Sequence, residues 1–181
     1  MDRTKRDEYV EYVRARMPRL HRTAWLICGD PHLADDAVQA TLAVLYSRWR
    51  HVSTVENLDG FVHRILTRRI VDERRSRWSR VLLRASPPEP PDRVTAPGQP
   101  GEYDHVVDAL RALPNGQRAA LVLRYFADLS VQDTARALGC SEGNVKSQCS
   151  RGLSTLRDAL TASGTEPGSD RPRTTTMRLT T

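Results

Sequence analysis

Apolar positions recur at three- and four-residue spacing through most of the chain, and no stretch alternates with period two for long. This pattern predicts helices and no sheet. RDEYVEYVRARM carries Tyr9, Val10, Val13 and Met17 at helical spacing, and Pro18 is expected to interrupt it. PRLHRTAWLICGD resumes with Leu20, Ala24, Ile27 and Cys28 on one side. Gly29 suits a C-terminal stop, and Asp30-Pro31 a cap with a first-turn proline. PHLADDAVQATLAVLYSRW then places Leu33, Ala37, Val38, Thr41, Leu42 and Leu45 on helical intervals. RHVSTVENLDG is polar and broken, a loop. FVHRILTRRIVDERRSRW follows, with Phe61, Ile65 and Ile70 apolar and six arginines elsewhere.

The pattern then fails. ASPPEPPDRVTAPGQPG, residues 85–101, holds six prolines and two glycines and cannot sustain a helix, so it reads as an extended linker. Helical periodicity returns at EYDHVVDALRAL, GQRAALVLRYF and SVQDTARAL. The tail ASGTEPGSDRPRTTTMRLTT is poor in hydrophobics and is expected to be disordered. The architecture predicted is all-α: two small helical domains, a proline-rich linker and a disordered C-terminal tail.

LSVQDTARALGCSEGNVKSQCSRGLSTLR fits a helix-turn-helix. Its first helix, Val131–Leu138, is expected to bury Val131, Ala135 and Leu138, and Gly139 to supply the left-handed turn residue. Ser141 can cap the second helix, with Glu142 in its first turn. Val145, Cys149, Leu153 and Leu156 form the expected core stripe. The opposite face carries Asn144, Lys146, Ser147, Gln148, Ser150 and Arg151, a set suited to base edges and phosphates in a major groove.

Charge strengthens that reading. The 181-residue chain has net charge +6 and a pI near 9.7, which favours a polyanionic partner. Of its 28 cations only Lys5 and Lys146 are lysine, a bias that reads first as GC-rich coding. Cys28, Cys140 and Cys149 are odd in number and lack C-x-x-C spacing, so neither a zinc ribbon nor a disulfide framework is expected. They read as reduced thiols, and Cys149, on the buried stripe, as a packed core group. The charged start MDRTKRDEYVEYV has no apolar signal region, and no apolar run is long enough to span a bilayer, so a cytoplasmic protein is expected. His21, His32, His51, His63 and His105 are scattered, and no cluster has catalytic or metal-ligand spacing. Neither an enzyme nor a cofactor is expected.

The first half supplies a second cationic surface. Arg64, Arg68, Arg69, Arg74, Arg75 and Arg77 crowd one helix, with Trp49 just before it and Phe61 at its start. Aromatic rings beside cations suit unpaired bases, which stack while the cations track phosphates. The plain alternative is that Trp49 and Phe61 are core. On the preceding helix Asp35, Asp36 and Gln39 form an outer stripe, a face that could dock on a partner or be an ordinary amphipathic surface.

Together, GDPHLADDAVQATLAVLYSRW, NLDGFVHRILTRRIVDERRSRW and LPNGQRAALVLRYFADLSVQDTARALGCSEGNVKSQCSRGLSTLR resemble, in order and spacing, the extracytoplasmic-function (ECF) sigma factors of the sigma-70 family. A softer likeness is to an actinobacterial sigma-E-like subgroup. The resemblance implies a region 2 helical bundle over 7–80, a linker over 81–103, a region 4 helix-turn-helix over 104–160 and a tail over 161–181. It implies core RNA polymerase (its beta-prime and beta subunits) and promoter DNA as partners, and an anti-sigma factor as a further one. Asp35, Asp36, Gln39 and Leu42 would then grip beta-prime. The loop before the arginine helix would capture a flipped base of the melted minus-ten element, with Trp49 and Phe61 nearby. Arg64, Arg68, Arg74 and Arg75 would hold the upstream duplex and the non-template strand. Lys146, Ser147, Ser150 and Arg151, with Asn144 on the same face, would read the minus-thirty-five element. Arg68 stands where many members of the family carry asparagine. The competing reading is a stand-alone helix-turn-helix regulator, which would need a dimerisation surface or a ligand domain that residues 1–80 do not obviously offer.

Overall fold

The structure, a computed structural model, describes residues 3–82 and 104–162, and the side chains of 74–82, 104 and 162 are not considered. Seven α-helices fill the described residues, with no strand among them: α1 (Arg3–Cys28), α2 (Pro31–Val52), α3 (Leu58–Leu82), α4 (Asp104–Ala112), α5 (Asn115–Leu121), α6 (Val131–Leu138) and α7 (Glu142–Ala162). The expected linker and tail fall outside the described residues except at 81–82 and 161–162, which are still helical.

α1 runs unbroken through Pro18, contrary to the break expected there. Proline in a helix interior costs about 3 kcal/mol, through a lost hydrogen bond and a ring clash. Tertiary packing on either side of it outweighs that cost. Before Pro18, Tyr9 and Tyr12 set their rings against Trp49 of α2, at centroid distances of 5.3 and 5.4 Å. After it, Leu20 and every residue from Thr23 to Cys28 are buried. The inward face of the first half is therefore Tyr9 and Tyr12, while Val10 and Met17 lie in solvent.

The α1–α2 corner follows the predicted chemistry. Gly29 takes φ +73°, and the Asp30 carboxylate accepts from the Leu33 N–H at 3.0 Å while Pro31 opens α2. The next corner uses Asn57. Its Oδ1 accepts from the Gly60 N–H at 2.8 Å and so caps α3. Val62, Leu66 and Ile70 of α3 complete the core with Ala37, Val38 and Leu45 of α2.

A consecutive run of buried residues, Thr23 to Cys28, is more than a one-sided amphipathic helix can bury. α2 and α3 cover one side of α1, and α4, α5 and the turn after α5 cover another. α6 in turn packs along α3. The N-terminal and C-terminal helices therefore share one continuous core.

After Leu121 the helix widens into a π turn, Val122–Phe126. Leu123 stays fully buried while Tyr125 is 59% exposed. The Ala127 N–H bonds to the Val122 carbonyl and the Leu129 N–H to the Leu123 carbonyl, which lets the chain turn back into α6. Ser130 caps α6, accepting from the Asp133 N–H at 2.9 Å.

Candidate nucleic-acid interface

The turn of the helix-turn-helix is built as its sequence suggests, while Val131 and Leu138 of α6, expected to be buried, are only part-buried. α6 ends at Gly139, whose φ of +65° and ψ of 39° place it in the left-handed region, and the Cys140 N–H returns to the Ala135 carbonyl. A side chain at Gly139 would be strained for lack of that conformational freedom. Ser141 Oγ accepts from the Asn144 N–H at 3.2 Å, starting α7.

α7 presents two faces. Val145 is fully buried, Cys149 and Gly152 are buried, and Leu156 packs partly against the core. The expected stripe ran through Leu153, which is instead 41% exposed. Seven residues make nearly two full turns, so position 152 rather than 153 falls under α5. There the Cβ of any larger residue would lie 2.9 Å from Leu121 Cδ1. Glycine lets α5 and α7 approach closely. Burial pushes the Cys149 thiol up, the opposing effect of Arg124 notwithstanding, so it stays a protonated packing group.

Asn144, Lys146, Ser147, Ser150 and Arg151 are all exposed on the other face. Arg151 leans back on the Ser147 carbonyl at 3.3 Å, and Gln148 reaches Asn144 at 3.4 Å. These contacts are surface-exposed and weak, so the side chains can exchange them for base edges and phosphates.

The second surface lies between α2 and α3. Val44, Arg48, Phe61, Arg64, Ile65, Arg68, Arg69 and Asp72 line an open cleft of about 390 Å³. Phe61 is part-buried, with Arg64, Arg68 and Arg69 exposed around it. Arg68 meets Asp72 only at 3.9 Å, with side chains 81% and 56% exposed, a pair worth little in water. Arg74 and Arg75 continue α3, and their side chains lie outside the described set.

Trp49 does not belong to this surface. It is 3% exposed, enclosed by Tyr9 and Tyr12, and cannot offer a face to a base. Its position one turn beyond Leu45 on the buried side of α2 carried that information, which its nearness in sequence to the arginines obscured. Arg48, in contrast, lines the cleft although the sequence did not single it out, and Arg69, one of the six arginines on α3, lines it too. Arg48 is brought there from a different helix by the α2–α3 packing.

On α2, Asp35, Asp36 and Gln39 are exposed, and Leu42 is part-buried with its carbonyl accepting from Tyr9 Oη at 3.0 Å. Asp35 contacts His21 Nδ1 at 3.0 Å. These residues share one side of α2, away from the buried Ala37, Val38 and Thr41.

A helix-turn-helix with a polar outer face, beside a cleft ringed by arginines, defines an all-α DNA-binding protein. Comparisons give the class a family. A family model for sigma-70 region 2 matches residues 12–80, and one for sigma-70 region 4 matches residues 104–156. The RNA polymerase sigma-E factor of Streptomyces coelicolor is 35% identical over 160 residues, covering 86% of this chain and 87% of the relative. The ECF RNA polymerase sigma factor SigM of Mycobacterium tuberculosis is 32% identical over 146 residues, covering 78% and 71%. Among solved structures, the sigma factor RpoE of Bartonella quintana, in complex with the anti-sigma factor NepR, aligns with a TM-score of 0.75 and 25% identity. It covers 85% of this chain and 97% of that one. The chain belongs to the sigma-70 family of RNA polymerase sigma factors, in its ECF group.

Proposed function

We propose that the chain joins core RNA polymerase through the Asp35, Asp36, Gln39 and Leu42 side of α2 and directs it to two promoter boxes. The observation that carries this reading is the presence of two separate exposed cationic surfaces on one chain, one on α7 and one between α2 and α3. Asn144, Lys146, Ser147, Ser150 and Arg151 enter the major groove of the minus-thirty-five box, arginine and lysine anchoring to phosphate or guanine. The cleft takes the melted minus-ten strand. Phe61 supplies the apolar wall for a flipped base, and Arg64 and Arg68, with Arg74 and Arg75 further along α3, follow its phosphates.

The work is binding rather than bond-making: the factor holds the polymerase in place, traps the opened strand and leaves catalysis to the core enzyme. It needs no cofactor and acts where transcription occurs, in the cytoplasm. No described helix is long and apolar enough to cross a membrane, which is compatible with that location. An anti-sigma factor is a further partner, as it is for the Bartonella relative in its co-crystal.

The test is reconstitution. Purified chain added to core polymerase should start transcripts at a promoter upstream of genes silenced by its deletion. No binding to core polymerase would overturn the sigma mechanism and favour a stand-alone regulator.

A further inference from the structure

Arg48 comes to the cleft from α2, and no contact within the protein accounts for it. It is exposed, and it makes no hydrogen bond or ion pair among the described residues. The end of a helix favours cations, but Arg50 and His51 already occupy the last turn of α2, and Arg48 lies before it. The nearest carboxylate on its own helix, Asp36, stands 12 positions back, about 18 Å along the axis. Leu45 and Trp49 beside it are buried, so the packing of α2 holds Arg48 at the rim of the cleft.

The cleft has a cationic side chain on each wall. The corner at 53–57 turns α3 back beside the last turns of α2, which sets Arg48 on one wall and Arg64, Arg68 and Arg69 on the other. Against these four positive charges the lining carries one carboxylate, Asp72. Among the described residues only Arg68 of the four has an acidic group near it, at 3.9 Å. Such an excess of one sign repels itself in the free protein and is relieved when a polyanion enters. The floor between the walls is apolar, with Val44, Phe61 and Ile65 part-buried. Cations flanking an aromatic floor suit a single strand, whose bases stack while its phosphates meet the cations. A strand lying along α3 alone would meet one wall; a strand seated in the cleft meets both.

We propose that Arg48 holds a backbone phosphate of the melted minus-ten strand from the α2 side, across from the α3 arginines, and so seats a base on Phe61. This role rests on the reading that the cleft takes that strand. A guanidinium offers a phosphate two parallel N–H donors, which fix position as well as supply charge. Arg48 therefore acts on the opened strand itself. Its loss is felt even where the DNA is single-stranded in advance.

The test uses holoenzyme assembled from the full chain and core polymerase, titrated with a fragment of its promoter whose minus-ten box is single-stranded. Arg48→Ala should weaken binding several-fold and lower the logarithmic salt slope by about 0.7, the value for one phosphate of a single strand. Arg48→Lys keeps the charge but loses the planar fork, so it should restore the slope and only part of the affinity. Arg50→Ala removes an exposed arginine of α2 that does not line the cleft, and it should bind as wild type does. Thermal melts of all these variants should coincide with wild type, which separates a strand contact from a structural one. Unchanged affinity and slope in Arg48→Ala, with Arg64→Ala impaired, would overturn the role of Arg48 and leave the cleft reading standing. If Phe61→Ala and Arg64→Ala also bind like wild type, the cleft reading falls and the role of Arg48 with it. An equal loss in Arg50→Ala would reduce the effect to general charge and end the assignment.

Discussion

The buried guanidinium of Arg118 caps the C-terminal end of α1 from 91 positions away, donating to the Ile27 carbonyl. That carbonyl is among the last four of the helix, which have no partner within it and carry the negative end of its dipole. Arg118 also donates to the Arg111 carbonyl at 2.9 Å and to Asn115 Oδ1 at 2.8 Å. One side chain thus fastens α1, α4 and α5 together. Replacing it with leucine leaves the Ile27 and Arg111 carbonyls without this donor, at about 1–3 kcal/mol for each that water cannot reach, while Asn115 is exposed to solvent. Arg118→Leu should lower unfolding free energy by about 3 kcal/mol in urea melts, and Arg118→Lys by about half as much. A loss below about 1 kcal/mol for leucine would mean the cap carries little weight.

His63 makes stability depend on pH. It is buried, its Nδ1 lies 2.8 Å from the Asp59 carbonyl and so carries the proton, and its Nε2 has no partner among the described residues. Burial holds its pKa below the usual histidine value. Asp59 opposes that through its backbone and its charge, and Arg19 and Arg16 add to it. A histidine kept neutral in the fold contributes stability that is fully present above about pH 6.5 and lost as pH falls towards the lowered folded value. The loss should approach about 1.4 kcal/mol per pH unit in that window. Urea midpoints at pH 7.5 and 5.5 measure it, and the change should be clearly smaller in His63→Gln. Equal slopes for the two proteins would assign the acid sensitivity elsewhere.

Gly152 is a packing device rather than a flexible joint. Gly152→Val should push α7 off α5, since its added carbons meet Leu121 and Gln117. Overpacking of this kind costs about 1–3 kcal/mol. Thermal melts should show the loss, accompanied by weaker use of the minus-thirty-five box because α7 is misplaced.

Asp36 tests the docking face. Asp36→Arg reverses an exposed charge on α2 without entering the core, so the helical circular dichroism spectrum should be unchanged. Co-elution with core polymerase should disappear. Retained co-elution would move the docking face elsewhere on the chain.

Lys146 and Arg151 test the reading face. Lys146→Ala or Arg151→Ala should weaken holoenzyme binding at the minus-thirty-five box. If the lost contact is to phosphate, the logarithmic salt slope should also fall by about 1 for each. An unchanged slope with relaxed base preference would instead assign that side chain to a base edge.

Local chemistry determined most of the helices and most of the proposed reading surfaces. Periodicity, Gly29, Asp30-Pro31, Gly139 and Ser141 act within a few residues, so their effects are legible without a fold, and the exposed face of α7 follows from them. Tertiary structure decided what distant packing controls. It carried α1 through Pro18, because rings on Trp49 and a buried second half outweigh one lost hydrogen bond. It drew Trp49 into the core and placed Gly152, not Leu153, beneath α5. Above all it joined the two halves. Arg118 and Ile27, or Asn57 and Asp133, give no sign of each other in sequence, since a side chain reaching a distant carbonyl or carboxylate leaves no periodic trace. Two domains and a linker could be read from composition; that they rest closed on one another was decided only by the fold.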